Sequence, residues 1–122
     1  MKILIADDSG FARAVLRDIV LKSKWKDAQI LEAADGAAAV AMYQAERPEL
    51  VLLDVIMPER NGIEVLQDIG SSAQAVVIVS SVEEQQVMDQ AKQLGAKSYI
   101  TKPYDAQKVI EVLNGLSPNQ GQ

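Results

Sequence analysis

The 122-residue chain has no cysteine and no histidine. Without cysteine there is no disulfide framework and no thiolate zinc site. Without histidine there is no imidazole metal ligand, no His-based nucleophilic triad and no phosphohistidine within the chain. Basic residues are also in short supply: 12 Lys and Arg stand against 17 Asp and Glu, for a formal net charge of -5 and a pI of about 4.6. A nucleic-acid partner wants the opposite balance, because a phosphate backbone is bound through an excess of Lys and Arg. Long apolar runs are missing as well. No segment approaches the roughly 20 residues of a membrane helix. The opening MKILIADD is too short in its apolar part for a signal peptide and ends on two aspartates. The expectation is a cytoplasmic protein with no nucleic-acid and no membrane partner.

What is present is ordinary for a folded domain. The chain is 48% hydrophobic and 24% charged, and its length suits one hydrophobic core. One domain over residues 1–117 is expected, with a short flexible tail at 118–122. Short β-rich apolar runs alternate with longer helical patterns. Ile3 to Ala6, the pair Ile30 and Leu31, Leu50 to Leu53, Val76 to Val79 and Ser98 to Ile100 read as five strands. Between and after them lie five helical patterns. The first carries Phe11, Val15, Leu16, Ile19 and Val20. The second is Ala-rich, runs from Asp35-Gly36 to about Glu46, and is closed by Pro48. The third carries Ile63, Val65, Leu66 and Ile69 after a loop marked by Pro58 and Gly62. The fourth carries Val87, Met88, Ala91 and Leu94 and stops at Gly95. The last carries Val109, Ile110, Val112, Leu113 and Leu116. Trp25 is expected to be a partly exposed anchor of the loop after the first helix.

Five strands, each followed by a helix, predict an α/β fold with a parallel sheet covered on both faces. Such open sheets bind ligands at the carboxyl ends of their strands. There the chain places Asp7-Asp8, Asp54, Ser80-Ser81 and, after the last strand, Thr101-Lys102-Pro103. Clustered carboxylates repel one another, and a hard divalent cation relieves the repulsion. Mg2+ takes oxygen ligands, keeps several waters and is shared with phosphate. Lys102 offers a point charge for phosphate oxygens and Ser80 a hydroxyl. A carboxylate can itself be the nucleophile that becomes an acyl phosphate, and Asp54, single at the end of the central apolar strand, is the candidate. The set suits phosphoryl transfer.

These residues also have plain structural readings. Asp7, Asp8 and Ser9 can make a turn or a helix cap. Asp54 can start a turn before Pro58, and Ser80-Ser81 can cap the helix that holds Glu83 and Glu84 in its first turn. Lys102 can be a solvated lysine, Tyr99 can be strand packing, and Glu83, Glu84 and Asp89 can be solvated helix surface.

Taken in order, ILIADD, LLDVIMPERNG, VIVSS, Tyr99 and TKP resemble the response-regulator receiver domain, in particular its stand-alone CheY-like members, over residues 2 to about 116. The resemblance implies a flavodoxin-like sheet in the order 2-1-3-4-5. It implies that Asp54 is the phosphoacceptor, phosphorylated in trans by a histidine kinase. It implies that Asp7, Asp8, Asp54 and the backbone carbonyl of Ile56 hold Mg2+, and that Lys102 pairs with the phosphate. It implies further that Ser80 and Tyr99 form a switch and that the Lys102–Pro103 peptide bond is cis. The output is then binding of a monomer to another protein (a flagellar switch component, a kinase or a phosphorelay protein) through the face of the fourth helix, fifth strand and fifth helix. The segment DDSGFARAVL, with Phe11 and Arg13, is more similar to chemotaxis receivers than to transcription-factor receivers.

Two positions depart from the chemotaxis pattern: Ile56 and Val82 are apolar where polar residues flank the phosphate. Other readings remain: a phosphorelay intermediate, a receiver-like module that binds partners unphosphorylated, and an enzyme of the haloacid-dehalogenase type. The last needs a second acid two residues after its nucleophile, and Ile56 stands there. Flavodoxin-like cofactor binding is disfavoured because the first loop, DDSG, would repel a flavin phosphate.

Overall fold

A computed structural model describes residues 1–116, apart from the side chain of Ser71; the tail expected at 118–122 lies outside the described residues. Five strands form one parallel sheet: β1 (Lys2–Ala6), β2 (Gln29–Ala33), β3 (Leu50–Leu53), β4 (Val76–Ser80) and β5 (Ser98–Thr101). Their order is β2-β1-β3-β4-β5. Five helices connect and follow them: α1 (Gly10–Val20), α2 (Gly36–Glu46), α3 (Gly62–Ile69), α4 (Gln85–Gln93) and α5 (Ala106–Gly115).

The central strands β1, β3 and β4 carry unbroken apolar runs because both faces of the sheet are covered there, whereas the edge strands β2 and β5 include Gln29, Glu32, Ser98 and Thr101. Within each run the side chains still alternate. Leu4, Ala6, Val51, Leu53 and Ile78 pack under α2, α3 and α4 through Tyr43, Leu66 and Ala91. Ile3, Ile5, Leu50, Leu52, Val77 and Val79 pack under α1 and α5 through Leu16, Val20, Val109 and Leu113.

Helix starts follow local chemistry. Ser9 caps α1 by accepting from the Ala12 N–H, and Asp35 caps α2 by accepting from Ala38. Asn61 and Glu64 form a reciprocal capping box on α3. In contrast, α4 has no side-chain cap, and only Ala91 of it is buried. It is the most thinly anchored helix, and so the least costly to move.

Trp25 departs from expectation. It is 3% exposed, not partly exposed. Its indole N–H donates to the Leu113 carbonyl at 3.0 Å, so the ring joins the α1–α5 side of the core and its one polar atom is satisfied there.

Candidate functional site

β1 and β3 are neighbours, with Ala6 opposite Leu53. The next residue on each strand is therefore an aspartate beside an aspartate. The Asp54 N–H donates to the Ala6 carbonyl at 3.0 Å and the Asp7 N–H to the Ala33 carbonyl at 3.1 Å, which extends the ladder one step and fixes both backbones. Asp7 is 1% exposed and Asp54 7%. Buried carboxylates need partners, and each has two kinds. One oxygen of each turns back on its own loop: Asp7 Oδ1 accepts from the Ser9 N–H at 2.9 Å, and Asp54 Oδ1 from the Ile56 N–H at 3.1 Å. The other oxygen of each meets Lys102, whose Nζ donates to Asp7 Oδ2 at 2.8 Å and to Asp54 Oδ2 at 3.0 Å.

Lys102 reaches both because it leaves the edge strand β5 at the same rim. Its own N–H donates to the Ser80 carbonyl at 2.9 Å, and its side chain crosses over the end of β4. Burial pulls its ammonium toward the neutral form, but hydrogen bonds and charge from Asp7 and Asp54 outweigh that, and its pKa lies above the ordinary lysine value. The Lys102–Pro103 bond is cis.

The loop after Asp54 is held by two close approaches. A Cβ on Gly62 would lie 2.2 Å from the Asp54 carbonyl oxygen, and one on Gly36 would lie 1.8 Å from the Arg60 carbonyl oxygen. Only glycine lets α3 and α2 start where they do. Between them Glu59 takes φ 71, with the Arg60 N–H donating to the Pro58 carbonyl at 2.8 Å.

On the other side of the rim Ser80 is fully buried, and its hydroxyl accepts from the Val82 N–H at 3.3 Å. Tyr99 donates its phenol O–H to the Val82 carbonyl at 2.6 Å. Val82, at the start of the loop to α4, is thus held from β4 and from β5. Burial, then the charges of Asp54 and Glu84, push the Tyr99 phenol up, against a hydrogen bond to Ser80 that lowers it.

The structure brings Asp7, Asp54 and Lys102 together and ties Ser80 and Tyr99 to one loop residue. Asp8 is exposed. Among the described residues no three carboxylates converge as a metal set. Mg2+ does not need three, since it is held by one or two carboxylates with waters and phosphate. Asp7 and Asp54 fit that role, with lone pairs left over after their N–H and ammonium bonds. Ile56 is 56% exposed beside Asp54, and its carbonyl has no hydrogen-bond partner among those of the described residues.

Two residues of the site escaped the sequence. Arg13 donates to the Asp7 carbonyl at 2.7 Å and to Glu32 at 2.9 Å, which ties α1 to the acidic loop. Tyr104 is half-buried, and its phenol is pushed up by burial and by Asp7, against the lowering effect of Lys102. Its place two residues after Lys102 was the only available signal.

Comparison with known proteins gives a consistent picture. A model of the response regulator receiver domain matches residues 3–114. The chemotaxis protein CheY of Bacillus subtilis is 39% identical over 115 residues, 93% of this chain and 94% of its own. CheY of Thermotoga maritima is 39% identical over 118 residues, 95% and 97% of the two chains. Among solved structures, the CheX-CheY-BeF3-Mg2+ complex from Borrelia burgdorferi matches with a TM-score of 0.85 at 30% identity, over 95% of this chain and 88% of the other.

Proposed function

Because this chain belongs to the response-regulator receiver family, we propose that it is a phosphorylation-controlled switch with Asp54 as the phosphoacceptor, acting in the cytoplasm and in chemotaxis or motility signalling. The observation that carries this reading is the shared ammonium. Lys102 bridges two buried carboxylates at the ends of the neighbouring strands β1 and β3, where rigid backbones hold Asp54 toward the open rim.

The chain has no histidine, so the phosphoryl donor is another molecule; in this reading it is a histidine kinase acting in trans. The Asp54 carboxylate oxygen forms an O–P bond as the P–N bond of the donor phosphohistidine breaks. The leaving imidazole nitrogen takes up a proton. Asp7 and Asp54 with the Ile56 carbonyl, and the exposed Asp8 directly or through water, would hold Mg2+, which neutralises charge on the transferring phosphoryl oxygens when bound. Lys102 is placed to shift its second bond from the Asp54 carboxylate to a phosphoryl oxygen.

The readout runs through Val82. A phosphoryl group on Asp54 offers the Ser80 hydroxyl a charged acceptor. As Ser80 turns to it, the Val82 N–H loses its acceptor, and the loop that also holds the Tyr99 phenol shifts. α4, anchored mainly by Ala91, moves with it. The face of α4, β5 and α5 then presents a different surface to a downstream protein. The protein acts as a monomeric signalling partner and turns over no small-molecule substrate.

The test is titration with beryllofluoride and Mg2+ followed by amide NMR. Shifts at Ser80, Tyr99 and Lys102 in the wild type, absent in Asp54→Asn, are expected. An unresponsive wild type would make this a receiver-like module that binds partners without phosphorylation.

A further inference from the structure

The amino-terminal rim of the sheet, opposite Asp54, carries a second constellation. The turn after α1, the start of β1 and the end of α5 enclose an open cleft of about 790 Å3. Lys22, Lys24 and Lys26 line it, against a single carboxylate, Asp27. These three lysines are all exposed. Among the described residues none of them is ion-paired, a state they share with Arg47, Lys92, Lys97 and Lys108; what distinguishes them is that all three line one cleft. On a chain of net charge -5, the cleft is a local concentration of positive charge. It is also apolar in part. Met1 and Leu21, 54% and 49% exposed, line it.

A run of lysines is ordinarily a solvated face, because the ammonium groups lose nothing in water. Two features set this one apart. The backbone that presents the lysines is pinned from several sides. The Ser23 hydroxyl donates to the Val20 carbonyl at 2.7 Å and accepts from the Trp25 N–H at 3.0 Å. The Lys24 N–H donates to Asn114 Oδ1 at 2.9 Å, and the Trp25 indole is bonded to the Leu113 carbonyl. A pinned backbone lowers the ordering cost of binding. Second, the surface is concave, with its apolar side chains beside the ammonium groups. A flat anionic bilayer fits such a shape poorly, and the acidic chain as a whole repels nucleic acid. A small anion would leave the apolar side uncovered.

We propose that this cleft docks an acidic peptide segment of a partner protein. A large apolar side chain of the segment sits against Met1 and Leu21, and flanking carboxylates pair with Lys22, Lys24 and Lys26. The cleft is at the far end of the strands from Asp54, so a partner held there leaves the acidic rim open. Docking at one end and chemistry at the other can then coexist in one complex. The inference stands whether or not Asp54 is phosphorylated.

The probe is a fluorescein-labelled peptide of alternating Asp and Glu around a central Leu-Phe, followed by anisotropy and by amide NMR of the full chain. Trp25, the single tryptophan, gives a third readout at the cleft. Binding is expected to shift amides from Lys22 to Ala28 and at Asn114, and to weaken with salt. It should weaken by about tenfold in the triple variant Lys22→Gln, Lys24→Gln, Lys26→Gln, with thermal unfolding unchanged because these side chains are exposed. Leu21→Gln should weaken it separately. The proposal is overturned by no binding, by shifts confined to other surfaces, or by equal affinity in the triple variant. Binding to phosphatidylcholine vesicles containing phosphatidylglycerol without binding to the peptide would overturn it too, in favour of a membrane surface.

Discussion

Replacing Lys102 with methionine keeps the stem and removes the charge. The two Oδ2 atoms that share the ammonium are then no farther apart than the two hydrogen bonds laid end to end, about 6 Å. Two unit charges at that separation repel by about 3 kcal/mol at an effective dielectric near 20. Both carboxylates also lose a charged partner while staying buried, at 1% and 7% exposure. Removing one member of a buried ion pair costs about 3–5 kcal/mol. The Lys102 side chain is 26% exposed, so water already screens part of the interaction, and about 2–4 kcal/mol is the expected loss. With a urea slope of about 1–3 kcal/mol per molar, the midpoint should fall by about 1 M or more. Mg2+ should restore more stability to the variant than it adds to the wild type, because a cation that binds only the native state stabilises it by mass action and here replaces the missing charge. Urea unfolding monitored by circular dichroism, with and without Mg2+, reads both effects. A Lys102→Met midpoint equal to that of the wild type would refute the argument that the ammonium holds the two carboxylates together.

Four further outcomes are expected. Gly62→Ala should lower the thermal midpoint, at a cost of about 1–3 kcal/mol or more, because its Cβ would meet the Asp54 carbonyl oxygen at 2.2 Å and backbone cannot step aside. Tyr99 and Lys102 both have folded-state pKa values above the ordinary 10.0 and 10.5. Their protonated forms therefore favour the native state below those values, and the contribution fades as pH rises through the folded ones; urea midpoints should drop in that alkaline window, less steeply in Tyr99→Phe, and a parallel drop in both proteins counts against it. Glu59→Gly should raise stability by up to about 1 kcal/mol by relieving the positive φ of 71, read in the same unfolding assay. Ile56→Asn and Val82→Glu should lose the phosphoryl group faster than the wild type, because the apolar side chains hinder the attacking water; phosphate release after phosphorylation measures it, and equal rates would sink the idea.

The sequence by itself determined the layered architecture. Unbroken apolar runs such as Leu50–Leu53 demand cover on both faces, and the helical patterns between them supply it. It also placed Asp7, Asp54, Ser80 and Lys102 at strand ends, since the motifs sit where each apolar run stops; Arg13, on α1, was outside that pattern. The strand order came from resemblance and not from pattern, because alternation of strand and helix is the same for any order. What only the tertiary structure decided is which groups meet. Asp7 and Asp8 are equivalent in the sequence, yet strand direction buries one and exposes the other. Lys102 finds two carboxylates because β4 alone separates its strand from that of Asp54, a distance a lysine can span. Trp25 is buried where its local sequence predicts partial exposure, because its partner, the Leu113 carbonyl, is 88 residues away. The lysine-lined cleft was invisible for the same reason: Lys24 and Asn114 are brought together by the packing of α1 against α5. Local chemistry is written along the chain, whereas contacts across it exist only after the sheet has closed its order.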